Sequence, residues 1–252
     1  MVNIPILTDE QVQAFHSDGF LVLRRGFSAD EMATISSWSD ELLARPEESG
    51  KHWVYHEKSL KGDDADLVSR IENIAPFHAG FKELTEALAA PVGQLLGEDA
   101  ALFKEKINFK MPGGGGFEPH QDSQAGWEDY ASNFVNVMVC IDEATEENGC
   151  IELAPGQNRR GLLRGMEPLT DDDTRDMEFV KYPMTPGDIA LFDAYTPHRS
   201  DPNPTKSQRR MYFATYNRAS EGDHLEKYYA DKRRNFPPDI EREAGKEYVY
   251  KV

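Results

Sequence analysis

The sequence is poor in cysteine and has no long apolar run. Its two cysteines, Cys140 and Cys150, are too few for a disulfide framework, and both lie in apolar stretches. We therefore expect buried thiols in a reducing compartment. No apolar run approaches the roughly 20 residues that a membrane span needs. The start, "MVNIPILTDEQ", lacks the basic and apolar regions of a secretion signal, so the expected location is cytoplasmic.

Basic residues are also scarce. The chain has 28 Lys and Arg against 45 Asp and Glu, a formal net charge of −17. Such a surface repels nucleic acid and anionic membranes, so we expect neither as a partner. The expected partner is a small molecule, and an anionic one would need a local pocket of basic groups. The 252 residues, 39% hydrophobic, contain no repeat or linker and predict a single domain over 1–252. They carry no signal about oligomeric state.

The first part of the chain has helical patterns. "LTDEQVQAFHSDG" predicts a helix that begins with a capping box at Thr8 and ends at Gly19. "SADEMATISSWSDELLAR" predicts a second amphipathic helix, capped by Ser28 or Asp30. "AGFKELTEALAAPVGQLLG" predicts a third helical segment, broken at Pro91. Three histidines between these segments lie in less regular sequence and could border a pocket: His52, His56 and His78.

From about Leu102 the pattern changes to short strands separated by turns. The strand candidates are "ALFKEKINFKM", "FVNVMVCID", "CIELAPG", "FVKYPM", "DIALFD" and "RRMYFATYN". The pattern predicts a mainly β fold with flanking helices, as a sandwich or barrel. The polar tail, "EKYYADKRRNFPPDIEREAGKEYVYKV", is expected to wrap the body or cover a pocket rather than add core.

A His-x-Asp pair lies in "EPHQDSQAGW", at His120 and Asp122. By itself the pair could be ordinary turn chemistry. A third candidate ligand, His198, follows the apolar strand "DIALFD". Two imidazoles and one carboxylate form the facial triad of non-haem Fe(II) oxygenases, which leaves positions open for a cosubstrate and O₂. A structural zinc site would need a fourth ligand, and neither cysteine is suitably placed.

An anion-binding residue follows on the next strand. Arg209 has a guanidinium that can bind a carboxylate in bidentate fashion. Such a cation would suit the distal carboxylate of 2-oxoglutarate, if that is the cosubstrate. Strand alternation points the neighbouring Arg210 to the opposite face.

Several of these segments resemble one known family. "HQD", "ENGCIELAPGQN" and "PGDIALFDAYTPHRSDPNPTKSQRRMYFATYN", with the opening "LTDEQVQAFHSDGFLVLRRGFS", are similar to the phytanoyl-CoA dioxygenase family of Fe(II)/2-oxoglutarate oxygenases. The resemblance implies a double-stranded β-helix (jelly-roll, cupin-like) and a hydroxylase that uses O₂ and releases succinate and CO₂. It places the iron ligands on His120, Asp122 and His198, and the 2-oxoglutarate arginine on Arg209. Because Asp122 is retained, the halide-binding variation of related halogenases is not expected.

Strand alternation also suggests what lines the pocket. In "LFKEKINFKM" one face carries Lys104, Lys106, Asn108 and Lys110, and the other carries Phe103, Ile107 and Phe109. The polar face either points inward to a ligand or lies on an exposed edge strand. On the strand "FVNVMVCID", Asn136 and Met138 would face inward. The inward reading assigns Asn108 and Asn136 to the cosubstrate, and Lys104 and Lys106 to the substrate.

The residues that flank the His-x-Asp pair are candidate substrate or supporting contacts: Gln121, Ser123, Gln124 and Trp127. Trp127 could equally be a lid residue that packs on the core. The inward lysines and amides favour a small anionic substrate. "YNRASEGDH" and "YYADKRRNFPPDIERE" resemble members that hydroxylate 2-aminoethylphosphonate. An acyl-CoA substrate, an amino-acid-like substrate and a non-catalytic jelly-roll binding module remain open alternatives.

Overall fold

The architecture is taken from a computed structural model, which describes Ile4 and residues 6–248. The helices of this part are α1 Asp9–Asp18, α2 Ala29–Ala44, α3 Ala79–Leu96, α4 Asp171–Thr174 and α5 Leu225–Asn235. Its strands are β1 Phe20–Leu23, β2 Trp53–Lys58, β3 Asp66–Glu72, β4 Ala100–Lys110, β5 Phe117–His120, β6 Phe134–Cys140, β7 Ile151–Leu153, β8 Val180–Tyr182, β9 Ile189–Asp193, β10 His198–Ser200 and β11 Arg209–Arg218.

The strands form two antiparallel sheets. The major sheet has seven strands in the order β1-β9-β6-β11-β4-β3-β2, and the minor sheet has four in the order β5-β10-β7-β8. Strands that are neighbours in a sheet are mostly distant in the chain, as the crossing connections of a jelly-roll require. The structure confirms the predicted fold class, a mainly β double-stranded β-helix with flanking helices.

One face of the major sheet packs on the helices. Val135, Val137 and Val139 of β6 are fully buried there, in a cluster that includes Phe81 and Leu88 of α3. Each fully buried apolar side chain of this size stabilises the fold by about 1.5–3 kcal/mol. The residues between the valines therefore face the other way, as alternation predicts. Met138 does so and packs in a second cluster with Phe192.

The predicted ends of the first two helices are confirmed. Thr8 forms a capping box with Gln11, and Ser28, rather than Asp30, is the N-cap of α2. Gly19 ends α1 in the left-handed region with φ of 85°. A Cβ at Gly19 would also lie 2.6 Å from the Thr196 hydroxyl, so both the conformation and the close packing require glycine here.

The predicted break at Pro91 is wrong, because α3 runs through it from Ala79 to Leu96. Proline removes one backbone hydrogen bond and normally disfavours a helix interior. Here Pro91 is buried, and the helix on both sides of it is anchored in the core by Leu88 and Val92. Tertiary packing thus outweighs the local penalty.

The sequence analysis did not recognise every strand, and β2 and β3 are among those that it missed. β2 and β3 form a hairpin that extends the major sheet beyond β4. Their charged residues, in "WVYHEK" and "DLVSRIE", hide the apolar alternation. Because β4 is covered by β3 on one side and β11 on the other, it is an interior strand. The exposed-edge alternative for its lysines is therefore wrong, and Lys104 is only 6% exposed.

A bulge changes the predicted face of Phe103. The register between β11 and β4 shifts so that Thr215 pairs with Lys104 and Tyr216 with Leu102, which leaves Phe103 as the extra residue. Phe103 therefore packs with Trp127 and with Tyr228 of α5 rather than in the core beneath α3. Beyond the bulge, Ile107 and Phe109 lie in the helix-side core as predicted.

The glycine run before β5 forms a tight connection. The Gly113 amide donates to the Asn203 carbonyl, and the Gly114 amide donates to the Met111 carbonyl, each at 2.7 Å. A Cβ at Gly116 would lie 2.5 Å from the Ser200 carbonyl oxygen. The run therefore lets the chain pass closely against β10.

The C-terminal tail both covers the body and adds core, so the prediction that it adds none is wrong. Tyr228 and Tyr229 of α5 are buried against Trp53 and Phe103. The last four tail residues, 249–252, lie outside the described part. Cys140 and Cys150 are buried, unpaired thiols, as expected. Within the described residues, no helix has the length and apolarity to cross a membrane.

Candidate metal centre

Three side chains converge between the two sheets. His120 at the end of β5 and His198 at the start of β10 are direct partners in the minor sheet. Asp122 follows two residues after His120. Its carboxylate oxygens lie 4.0 Å from Nε2 of His120 and 3.9 Å from Nε2 of His198. Among the described residues this is the one group of His, Cys, Asp or Glu found close enough together to hold a metal ion.

Local hydrogen bonds orient both imidazoles. Nδ1 of His120 lies 2.7 Å from the Glu118 carbonyl oxygen, and Nδ1 of His198 lies 3.0 Å from the Thr196 carbonyl oxygen. Since a carbonyl only accepts, each Nδ1 carries a proton, and each Nε2 faces the side of Asp122. Metal-binding histidines usually have such a second partner.

The charges of the group also suit a cation. Burial and the neighbouring His198 lower the pKa of His120 to about 3, so its imidazole is neutral at physiological pH. Burial opposes the ionisation of Asp122, but His198 and Lys106 outweigh it and lower the pKa of the carboxyl. The group therefore presents a neutral imidazole and a carboxylate, the forms that bind metals.

A cavity of about 50 Å³ adjoins these three side chains. It is lined by residues of both sheets: Lys106, Asn108, Phe117, His120, Asp122, Met138, Ile151, His198, Arg199, Ser200, Arg209 and Phe213. Two of its polar atoms are buried without a hydrogen-bond partner in the described structure, Nε of Arg209 and Oδ1 of Asn108. Burial lowers the pKa of Arg209 to about 10, which leaves the guanidinium charged at neutral pH. A buried unpaired cation is costly, so these residues fit a ligand with a carboxylate.

Arg210 points out of this cavity, as alternation predicts. Its guanidinium donates to Asp142 at 2.8 Å, to Asp40 at 2.6 Å and to the Ser36 hydroxyl at 2.8 Å. These contacts fix α2 against the sheet. Of the two adjacent arginines, Arg209 alone lines the cavity.

Two other predicted residues lie on the cavity side of the major sheet. Lys106 lines the cavity, and burial, with the nearby Lys104 and Arg70, lowers its pKa to about 7. Asn136 accepts a hydrogen bond from the Thr215 hydroxyl at 2.6 Å, and its Nδ2 is buried without a partner in the described structure. Asn136 is not among the residues that line the cavity, so it lies behind the lining side chains.

Gln121, Ser123 and Gln124, the predicted substrate or supporting contacts, lie next to the triad in the chain. All three are buried outside the cavities next to the triad. Gln121 donates to the carbonyls of Gly161 and Tyr195 at 2.8 and 2.6 Å, and Gln124 accepts from the Gln121 amide at 2.7 Å. The two amide side chains therefore hydrogen-bond backbone groups and fix the loop that contains Asp122 against residues 161 and 195.

A larger chamber, of about 450 Å³, lies on the other side of Asp122. Lys104 and Trp127 line it together with residues of α5 and the tail. Trp127 is also 1% exposed and belongs to the aromatic core with Phe103, as one of its two predictions has it, and its contact with substrate stays a prediction. We call this space the outer chamber.

Sequence reasoning missed Glu72 and Lys232. Glu72 is fully buried and forms ion pairs with Arg70, at 3.0 Å, and with Lys232 of α5. The alternation of β3 could have revealed Glu72, had that strand been recognised. The three early histidines are away from the triad. His56 contacts Asp239, His78 caps α3, and His52 is buried just before β2.

Comparison with known proteins agrees with this geometry. A sequence profile of the phytanoyl-CoA dioxygenase (PhyH) family matches residues 15–211. A methylphosphonate hydroxylase of Gimesia maris is 40% identical over 237 residues, covering 91% of this chain and 88% of that protein. A 2-aminoethylphosphonate dioxygenase of an uncultured bacterium is 38% identical over 247 residues, covering 96% and 93%. The crystal structure of EctD from S. alaskensis with bound Fe superposes with a TM-score of 0.72 at 25% identity, covering 85% of this chain and 78% of that one.

The fold, with its facial group of two histidines and an aspartate, defines a non-haem Fe(II)/2-oxoglutarate-dependent dioxygenase. The chain belongs to the phytanoyl-CoA dioxygenase family. Its cofactor is iron, its cosubstrate is 2-oxoglutarate, and it uses O₂. Its substrate is a small molecule.

Proposed function

We propose that this dioxygenase hydroxylates a small organophosphonate, with iron held by His120, Asp122 and His198 and with the distal carboxylate of 2-oxoglutarate held by Arg209. The observation that carries this proposal is the small cavity. It joins three oriented metal ligands to a buried guanidinium whose Nε has no partner in the described structure. The two relatives named for phosphonates support the substrate class.

Bound Fe(II) with 2-oxoglutarate supplies the activation of O₂ that hydroxylation requires, with release of succinate and CO₂. The protein's own residues orient the reactants and exclude water. The Glu118 and Thr196 carbonyls keep both Nε2 atoms directed at the metal position. Asn108 adds a polar partner next to Arg209, in a cavity that Phe117 and Phe213 also line.

The substrate class follows from the charges around the metal position. Lys104 and Lys106 of β4 lie close enough to Asp122 to lower the pKa of its carboxyl. The protein as a whole has a net charge of −17 and repels anions at long range. Binding of an anion must therefore come from these short-range cations in a partly dry site. A phosphonate suits a lysine, which acts as a point charge.

We also propose that residues 1–252 act as one domain in a reducing, cytoplasmic environment. α1 and β1 at one end of the chain and α5 at the other pack on the same major sheet. The two unpaired buried thiols support the reducing compartment.

A substrate screen tests the function. Iron-loaded enzyme with 2-oxoglutarate would be assayed for substrate-dependent succinate release. The candidates are methylphosphonate, 2-aminoethylphosphonate, amino acids and acyl-CoAs, side by side. We expect release with a phosphonate. Release with acyl-CoAs or amino acids alone would overturn the proposed substrate class. No release with any compound, despite a charge-transfer band on anaerobic addition of iron and 2-oxoglutarate, would point to a binding module instead.

A further inference from the structure

We propose that the phosphonate group of the substrate binds to Lys104 in the outer chamber, and that the ion pair between Lys232 and Glu72 fixes the wall that closes this chamber. The inference rests on the proposed function and adds a location and two residues to it. We call the C-terminal residues that line the chamber the C-terminal wall: Tyr228, Asp231, Lys232, Arg234, Asn235, Phe236, Lys246, Glu247 and Tyr248.

Lys104 is built into the chamber as a buried cation. The residue is 6% exposed, and its Nζ lies 4.4 Å from the centre of the Trp127 ring and 5.7 Å from that of Tyr228. Its ammonium makes no hydrogen bond or ion pair with the described residues. Aromatic faces stabilise a cation but leave its three N–H donors unused. The lysine is therefore placed to bind an anion within the chamber.

The neighbouring acid is already neutralised by other cations. Glu72 is paired with Arg70 and Lys232, and its pKa is held far below the ordinary value by these charges and by Lys104 and Lys106 despite its burial. Asp122 is another acid whose pKa Lys104 lowers, and a bound metal ion would take up its charge. Lys104 is thus left without an anionic partner among the described residues, and the phosphonate group of the substrate would supply one.

Two contacts hold the wall over the chamber. Lys232 of α5 inserts its ammonium next to Glu72, with only 10% of its side chain exposed. The Tyr130 hydroxyl donates to Asp231 at 2.7 Å and joins the wall to the loop after the triad. Because Glu72 lies on β3, the first contact ties α5 directly to the major sheet. Lys232 is a positioning residue on this view, since it acts through the wall.

The wall also lies outside the residues that the family profile matches. The family profile matches residues 15–211, which include the triad and Arg209. All residues of the C-terminal wall come later in the chain. Lys104 and the metal ligands lie within the matched residues and the wall lies after them, so the wall is where this chain's specificity would be set.

A second cavity is an alternative location for the substrate. It measures about 230 Å³, shares Asn108 and Phe117 with the small cavity, and is bordered by Arg242. Arg242 pairs with Asp239 at 2.9 Å at the mouth of this cavity and does not line the outer chamber. Arg242→Gln is therefore a matched control for the wrong location.

The experiment uses iron-loaded protein with 2-oxoglutarate under anaerobic conditions, where methylphosphonate binding is measured by titration calorimetry without turnover. We expect Lys104→Met to weaken methylphosphonate binding about 10- to 100-fold, as loss of a charged hydrogen-bond donor implies. Lys104→Arg retains most of the affinity. Arg242→Gln should bind methylphosphonate as tightly as the wild type. The charge-transfer band with 2-oxoglutarate should be the same in all variants.

Lys232→Met should raise the KM for the phosphonate with a smaller effect on kcat, and Lys232→Arg should restore it. Circular dichroism checks that each variant is folded. If Arg242→Gln weakens binding and Lys104→Met does not, the substrate lies in the other cavity. If Lys104→Met weakens the binding of 2-oxoglutarate instead, Lys104 binds the cosubstrate and not the substrate. In both cases the wild-type enzyme still hydroxylates phosphonates, whereas failure of the proposed function would remove that turnover itself. A wild-type enzyme that binds no phosphonate would overturn both.

Discussion

Replacing each of two adjacent arginines by alanine should separate cosubstrate binding from stability. Arg209 lines the small cavity, is 4% exposed and has a buried Nε without a partner in the described structure. Arg210 is equally buried but donates to Asp142, Asp40 and Ser36 on the other face. The two side chains are alike in chemistry and burial, so each variant serves as the control for the other.

The size of the Arg209→Ala effect follows from the burial of the ion pair between Arg209 and the distal carboxylate of 2-oxoglutarate. Removing one partner of a buried, hydrogen-bonded charge pair costs about 2–5 kcal/mol, which corresponds to a loss of roughly 30-fold or more in affinity. We expect the KM for 2-oxoglutarate to rise by at least that factor. Since the Arg209 side chain forms no ion pair with an acid among the described residues, the melting temperature should fall little or even rise.

Arg210→Ala should give the opposite result. It leaves Asp142 and Ser36 without their guanidinium partner, which costs about 1–3 kcal/mol. For a chain of this length, each kcal/mol lowers the melting temperature by about 2–4 °C. The KM for 2-oxoglutarate should hardly change. Succinate release and thermal unfolding measure the two effects. A larger KM increase in Arg210→Ala than in Arg209→Ala would show that the register of β11 is wrong by one residue.

Three further predictions concern other buried groups. Asp122→Ala should abolish iron binding, measured by metal analysis, while circular dichroism shows an intact fold; full iron occupancy would contradict the assigned ligand set. Burial raises the pKa of Glu105 from 4.5 to about 8. Between these pH values the folded state keeps a proton that the unfolded state loses. The contribution of Glu105 to the free energy of unfolding therefore declines as pH rises from about 4.5 to 8. Glu105→Gln should therefore be more stable than wild type near pH 8 and similar near pH 4.5 in thermal unfolding; equal curves at both pH values would refute the assignment. Burial also raises the pKa of Cys140 to about 12, and Cys140 and Cys150 should react with a thiol reagent only after unfolding, so rapid labelling of folded protein would show that these sites open.

The sequence allowed much of the fold to be predicted, because strong local signals agree with the final packing. The alternation of β6 and the adjacent pair Arg209 and Arg210 assign the correct faces without knowledge of the sheet order. A capping box at Thr8 likewise depends only on residues close in the chain. Such features are local, and tertiary structure did not override them.

The errors occur where distant parts of the chain decide the outcome. The bulge at Phe103 depends on the pairing of β4 with β11, and the continuity of α3 through Pro91 depends on core packing. The role of Gln121 follows from backbone groups of residues 161 and 195, which no nearby pattern indicates. Lys232 was missed for the same reason, since its partner on β3 lies far away in the chain.

The carbonyls that orient His120 and His198 have a consequence for how the enzyme acquires iron. Each imidazole is fixed by a backbone oxygen two residues earlier in its own segment, so neither depends on a metal ion or on the other histidine for its orientation. Metal binding to such a site need not drive folding, unlike binding to a zinc finger, whose fold forms only with the ion. None of the free energy of metal binding is then used to fold the protein, so the site binds iron with the full affinity of its three side chains. Chelation should empty the protein without unfolding it, and iron should return to a vacant site that has kept its shape.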